Sequence, residues 1–333
     1  MLDSQPSLPF MRSVYSVPWP EIQDRFSELQ IPKELWRVTA SLESHDEFLK
    51  FFGFDPLTPG TQKLGFLDCW NEPLIKSIGE SLKLPEKIAN FNSYPVAGSA
   101  QGIGGLLTDY ANRGCTTIWV PEGDYEGYEY QAQAYGIDVI YFNLASDKLP
   151  MGQTVFMSQP SAINGDFVNF QMVQYLADHN ELILDLAYRG LTFPNTFFDI
   201  PENCEAVLWS ASKPYGLFYR RIGFLWSKTS INNLYASRWF KNPEHLWALA
   251  VLMKEFPLER IAKKAKSIQT QIVSEYTILS EKDLIQSDVS LLAQSAEPWY
   301  ADWVRDTDPH SNPDRLARVC LSPLIEELLD NIE

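Results

Sequence analysis

From about residue 90 to residue 230 the chain alternates short apolar runs with amphipathic ones. Six apolar runs read as strands: residues 116–120, 138–142, 155–158, 182–186, 206–210 and 222–227. Between several of them lie segments of helical spacing, at 100–112, 128–135 and 167–177. The strand runs are apolar nearly throughout, which suits a sheet covered on both faces. Strands alternating with helices predict a mainly parallel α/β sheet. In such sheets ligands sit beyond the carboxyl ends of the strands.

The flanks have another rhythm. Residues 1–60 hold many prolines and aromatics and no strand–helix alternation. Residues 240–280 read as one or two helices, with Leu246, Leu249, Ala250, Met253 and Phe256 at helical spacing. Residues 284–292 and 318–322 suit short strands, and 326–331 a closing helix. The expected organisation is a large central domain over 61–240 and a smaller α+β domain built from both chain ends. Residues 1–60 would give an arm and part of that domain, and 241–333 the rest.

Composition narrows the function. A chain of 333 residues, 45% hydrophobic, can bury a full core. Its formal charge of −16 opposes general binding to nucleic acid. No apolar stretch is long enough to span a membrane, and residues 1–6 do not read as a secretory leader. Cys69, Cys115, Cys204 and Cys320 show no CxxC spacing, as expected of reduced thiols in a cytoplasmic protein. His45, His179, His245 and His310 show no ligand spacing either, so no metal is expected.

The candidate chemistry falls in four segments. Gly98-Ser99-Ala100-Gln101-Gly102 precedes a helix, where backbone N–H groups can bind phosphate; it also suits a plain turn with Ser99 as N-cap. Tyr125, in the loop after the 116–120 strand, offers a ring to stack on a flat ligand, or packs on a surface loop. Leu182, Ile183 and Leu184 run into Asp185, a carboxylate that needs a cationic or capping partner, and Tyr188 follows. The run 206–210 ends in Ser210-Ala211-Ser212-Lys213, and eight residues after the lysine comes Arg221, then Ile222 and Gly223. A lysine so placed can form a Schiff base with an aldehyde, and two hydroxyls with a guanidinium can hold a phosphate dianion. Pyridoxal 5′-phosphate (PLP) needs both.

These residues, in this order, resemble the fold-type I PLP-dependent enzymes of the class I/II aminotransferase superfamily over about residues 65–230. The resemblance implies Lys213 as Schiff-base lysine and proton shuttle, Asp185 as partner of the pyridine nitrogen, and Tyr188 as partner of the ring oxygen. It implies a phosphate cup of Ser99, Ala100, Gln101, Ser210, Ser212 and Arg221, with Tyr125 stacked on the ring. Arg318 resembles the family's arginine that grips the substrate α-carboxylate, with Arg315 close by. The chain departs from the family where Asn-Pro-x-Gly is usual. Matched on Gly165, Ala162 stands at the asparagine, and Asn164 is the candidate for its bond to the ring oxygen. The family's tyrosine before the glycine loop has no firm counterpart among Phe51, Phe52, Phe54 and Tyr94.

The activity implied is transfer of an amino group between an amino acid and a 2-oxo acid, by a homodimer. Tyr15, Trp19 and Trp36 of the arm would pack on a partner or on the domain itself. A PLP-dependent lyase, cyclase or oxidase would use the same residues. A non-catalytic module on the PLP fold is the reading from another class.

Overall fold

The computed structural model describes residues 16, 19–29, 68–146, 148–237, 243–280, 284–295, 304–305 and 317–330. The expectations placed on Tyr15, Trp36, Phe51, Phe52, Phe54 and Arg315 lie outside the described residues.

Two helices, α1 (Pro20–Glu28) and α2 (Asp68–Ser81), and the single turn α3 (Glu86–Ala89) precede the first strand. Next come β1 (Asn92–Val96), α4 (Ser99–Asn112), β2 (Thr117–Pro121), α5 (Gly127–Ala134), β3 (Asp138–Phe142) and β4 (Thr154–Ser158). After these follow α6 (Phe170–His179), β5 (Glu181–Asp185), β6 (Ala206–Ser210) and β7 (Gly223–Ser227). The seven strands form one sheet in the order β1-β7-β6-β5-β4-β2-β3, parallel except for β7, which runs against both of its neighbours. The expected mainly parallel α/β sheet is therefore present, with helices on both faces.

Alternate residues of the apolar strands serve opposite faces, which is why the runs are continuous. Ala206 and Leu208 join Ile103, Leu106, Leu107 and Tyr110 of α4 on one side. Val207 and Trp209 join α1, α2 and α6 on the other, through Ile22, Ile78 and Leu176. Burying each large apolar side chain contributes about 1.5–3 kcal/mol.

Local chemistry explains where the sequence pattern erred. The apolar pattern missed β1, whose Pro95 weakens a strand signature; β1 is an edge strand, where a proline is tolerated. The helix expected from 167 starts at Phe170, because the Asn169 side chain accepts the Gln171 N–H and caps it there.

Beyond the sheet, α7 (Pro243–Glu255) and α8 (Leu258–Ser280) lead to a second, antiparallel sheet. Its strands are β8 (Leu284–Gln286), β9 (Leu292–Ser295), β10 (Val304–Arg305) and β11 (Ala317–Cys320), ordered β10-β11-β9-β8. Helix α9 (Ser322–Asp330) follows. The run 284–292 holds β8 and the first residue of β9, with a turn between them. Helix α1 lies against α7, with Phe26 edge-on to His245 at 5.4 Å. It also reaches the loop after β6, where Trp19 Nε1 donates to the Pro214 carbonyl at 2.8 Å. Among the described residues no helix is long and apolar enough to cross a membrane.

Candidate active site

The carboxyl ends of the parallel strands surround a cavity of about 140 Å³. Ser99, Ala100, Tyr125, Asp185, Tyr188, Ser210, Ser212, Lys213, Arg221 and Arg318, all singled out from the sequence, line it. A wider groove of about 940 Å³ beside Phe91 and Trp226 contains none of them.

One end of the cavity is lined by hydrogen-bond donors. Gly98, at φ +74°, turns the chain from β1 into α4, so the first N–H groups of that helix, at Ser99 and Ala100, have no intrahelical acceptor. Ser210, the last residue of β6, donates its hydroxyl to Ser212 Oγ at 2.9 Å. Arg221 takes a left-handed backbone, φ +52°, and its Nη2 donates to the Ala97 carbonyl at 2.9 Å, which holds the guanidinium over the helix start. Two glycines leave room for this approach. A Cβ on Gly98 would stand 2.6 Å from Arg221 Nη2, and one on Gly223 would stand 2.7 Å from the Gly98 Cα. Helix N–H groups, two hydroxyls and a guanidinium converge on a space without a side chain, and that donor set fits a phosphate.

The opposite end is acidic. Asp185 ends β5 and is buried; one of its oxygens accepts the Ala187 N–H at 3.0 Å. Burial, and next the charge of Asp124, push its carboxyl up to about 7, against the pull of that N–H and of Lys213. Tyr128 is buried against both carboxylates.

Lys213 lies between the two ends, in the turn after β6. Burial lowers its amine to about 8; Arg318 and Arg221 add to the lowering, while Cys320 and Asp185 oppose it. Its Nζ is 5.8 Å from the centre of the Tyr188 ring. Tyr125, 37% exposed, presents its ring beside the cavity, edge-on to Tyr128 at 5.3 Å. Arg318, buried in β11, donates from Nη1 to the Ala162 carbonyl.

Two of the expected site residues are not on the cavity wall. Gln101 turns back, and its Oε1 accepts the Ala97 N–H at 2.6 Å, so its side chain closes the turn. Asn164 donates from Nδ2 to Asp166 at 2.9 Å and accepts the Asp166 N–H at 3.0 Å; Ala162 and Ser158 line the cavity in that region instead. Sequence reading passed over Asp124, Ser158, Glu126 and Phe218. Asp124 is buried, and its carboxylate accepts from Ser158 Oγ at 2.5 Å, Ser158 N at 3.0 Å and Tyr125 N at 2.7 Å. Their one signal was position: Asp124, Glu126 and Ser158 at or just after the carboxyl ends of β2 and β4, and Phe218 in the connection between β6 and β7.

No protein-family model and no curated protein matches the sequence. Solved structures do. An aminotransferase from Staphylococcus aureus is 14% identical with a TM-score of 0.62, over 95% of this chain and 90% of that one. Escherichia coli YbdL, described as having a methionine aminotransferase function, is 14% identical with a TM-score of 0.61, over 97% of each chain. L-threonine-O-3-phosphate decarboxylase from Porphyromonas gingivalis is 13% identical with a TM-score of 0.56, over 79% of this chain and 88% of that one. The chain therefore shares the fold of these aminotransferases and of this decarboxylase.

Proposed function

We propose that this chain is a PLP-dependent enzyme that transfers an amino group between an amino acid and a 2-oxo acid. The observation that carries the reading is one cavity in which the Lys213 amine stands between an anion cup and a buried carboxylate. The cofactor matches that polarity, with a phosphate for Ser99, Ala100, Ser210, Ser212 and Arg221 and a pyridine nitrogen for Asp185. Bound there, PLP supplies the aldehyde that captures an amine and the ring that takes up the charge left by a departing α-proton.

The chain's own groups do the remaining work. Lys213, lowered to about 8, is available as a neutral amine near physiological pH, to bond the aldehyde and then to carry the α-proton as general base. Asp185 holds the positive end of the ring and keeps it electron-withdrawing. Tyr188 stands beside the amine and supplies a donor for the ring oxygen. The Tyr125 ring covers the ligand's flat face. Arg318, beyond Lys213, receives the substrate α-carboxylate.

The likeness to a decarboxylase, and alanine rather than asparagine at 162, support a second reading: a lyase-type reaction from the same site. Turnover decides between them. An amino acid consumed only when a 2-oxo acid is supplied means transamination, and sustained consumption without an acceptor means the second reading. A bound cofactor with no amino acid turned over across a full panel would make the chain a non-catalytic module. We further propose a homodimer, supported by Tyr219, 82% exposed beside the cavity residue Phe218; mass in solution tests it. A cytoplasmic location is supported by the free Cys115, Cys204 and Cys320.

A further inference from the structure

Next to the cavity residues Tyr125 and Ser158 lies a second buried carboxylate, Asp124, for which the proposed reaction has no use. Asp124 follows β2, Ser158 ends β4 and Asp185 ends β5, and these strands are adjacent in the order β2, β4, β5. Ser158 stands in register with Asp185, so the three polar residues form a row across the carboxyl ends of the sheet. The Ser158 hydroxyl accepts the Ala162 N–H at 2.7 Å, so its own hydrogen is committed to Asp124. Both carboxylates are buried, and the charge of Asp124 bears directly on Asp185.

We propose that Asp124 and Asp185 form one coupled carboxylate pair, which keeps a single proton in the cofactor-free protein and sheds it when a cationic ring nitrogen is seated against Asp185. This rests on the reading of the site as one for a pyridine-ring cofactor. Two buried carboxylates separated in such a row only by Ser158 do not ionise together without compensation. The groups that face them are Lys213, Tyr128 and Tyr188 around Asp185, and Ser158, Tyr125, Tyr128 and Arg318 around Asp124, with Arg221 and Cys320 acting through Lys213. Arg318, held on the Ala162 carbonyl, adds a smaller pull toward ionised Asp124. Three donors favour ionised Asp124, so the stored proton resides mainly on Asp185. A pyridinium beside Asp185 adds the missing positive charge. The O–H bond of Asp185 then breaks, its electron pair stays on the carboxylate, and the proton leaves to water. Asp124 is thus a positioning residue that acts through Asp185.

The test counts protons. Pyridoxine 5′-phosphate has the ring and the phosphate but no aldehyde, so it cannot bond Lys213. Its binding heat is measured just below pH 7 in two buffers of different ionisation enthalpy, with wild type, Asp124→Asn and Ser158→Ala. The ligand's own phosphate ionisation is common to all three proteins and cancels in the comparison. Wild type is expected to release more protons than Asp124→Asn, by up to about half a proton at this pH. Ser158→Ala keeps both carboxylates, so it retains the release. Equal release by wild type and Asp124→Asn overturns the pair, and so does loss of release in Ser158→Ala. Should the variants not fold, wild type is titrated with pyridoxine 5′-phosphate and with a phosphate monoester that has no ring: the ring ligand is expected to release more protons below about pH 7 and the excess to vanish above it, and equal release at every pH overturns the proposal. A protein that neither binds pyridoxine 5′-phosphate nor gives a visible band with PLP fails the cofactor reading itself. Binding without the proton count sinks this proposal alone.

Discussion

The Arg221 end of the cavity is walled by donors, and the Asp185 end by acceptors. The donor end is built from backbone as much as side chain: a helix start, two glycines and a strained Arg221. The acceptor end is built from carboxylates whose ionisation burial opposes. The first can be rigid and charged at all times. The second can exist in two protonation states, and Lys213, lowered to about 8, shares that property. On the proposed reading, this polarity would orient a ligand with a dianionic tail and a basic ring before any bond forms. Anchoring and chemistry are thereby separated in space, and they should fail separately.

The largest failure is expected between the two ends. Lys213→Ala removes the amine and spares both ends, so PLP should still bind without the visible band of a lysine adduct. Turnover should fall by about 10²–10⁴-fold or more, the usual contribution of a positioned base. Absorbance and turnover on one preparation check both; an unchanged band would place the bond on another amine.

Removing the cup's fixed cation comes next. Arg221→Ala should weaken PLP and inorganic phosphate alike by roughly 10–100-fold, as expected for loss of a charged hydrogen bond worth about 1.5–3 kcal/mol. Asp185→Asn should weaken PLP and leave inorganic phosphate unchanged. Titrations of the four protein–ligand pairs test the separation, and a phosphate affinity that falls with Asp185→Asn would break it.

Ionisation at the acidic end also leaves a mark on stability. The carboxyl of Asp185 lies at about 7 in the fold against 3.8 in its ordinary state, so the folded protein binds this proton more tightly. The resulting stabilisation is full below pH 3.8 and lost as pH rises through about 7. Denaturant unfolding of cofactor-free wild type, measured against Asp185→Asn, should show a difference that shrinks between these limits. Its slope is at most about 1.4 kcal/mol per pH unit for one proton. A difference that grows with pH would reverse the assignment.

The two ends were not equally legible in the sequence. The donor end is written in short segments with their own local geometry, Gly98-Ser99-Ala100 and Ser210-Ala211-Ser212-Lys213, and it was their order along the chain that marked them together, since the glycine segment alone also suits a plain turn. The apolar runs likewise disclosed six strands of the large sheet, since burial on both faces leaves a continuous signature. Asp124 and Ser158 were not legible. They lie 34 residues apart and meet only because β2 and β4 are sheet neighbours, a fact of topology rather than of local pattern. The edge strand β1 was lost because the sequence pattern weighs Pro95 without knowing which strand is at the edge.

Asn164 shows the same limit from the other side, and its change should have the smallest effect. Alignment on Gly165 suggested a bond to the ring oxygen, but alignment does not say which way a side chain turns. In the fold Asn164 faces Asp166, which also accepts from Gln294 Nε2 at 2.6 Å, and the Asn164 carbonyl accepts the Ser287 hydroxyl at 2.6 Å. These bonds tie the loop after β4 to the second sheet, away from the cavity. Asn164→Ala should therefore cost about 1 kcal/mol of stability, the usual net worth of a hydrogen bond, and leave the visible spectrum of the bound cofactor where it was. The pair of readings is decisive because the two roles move different observables. A spectral shift at unchanged stability would put Asn164 on the ring, and a loss of stability at an unchanged spectrum keeps it in the loop.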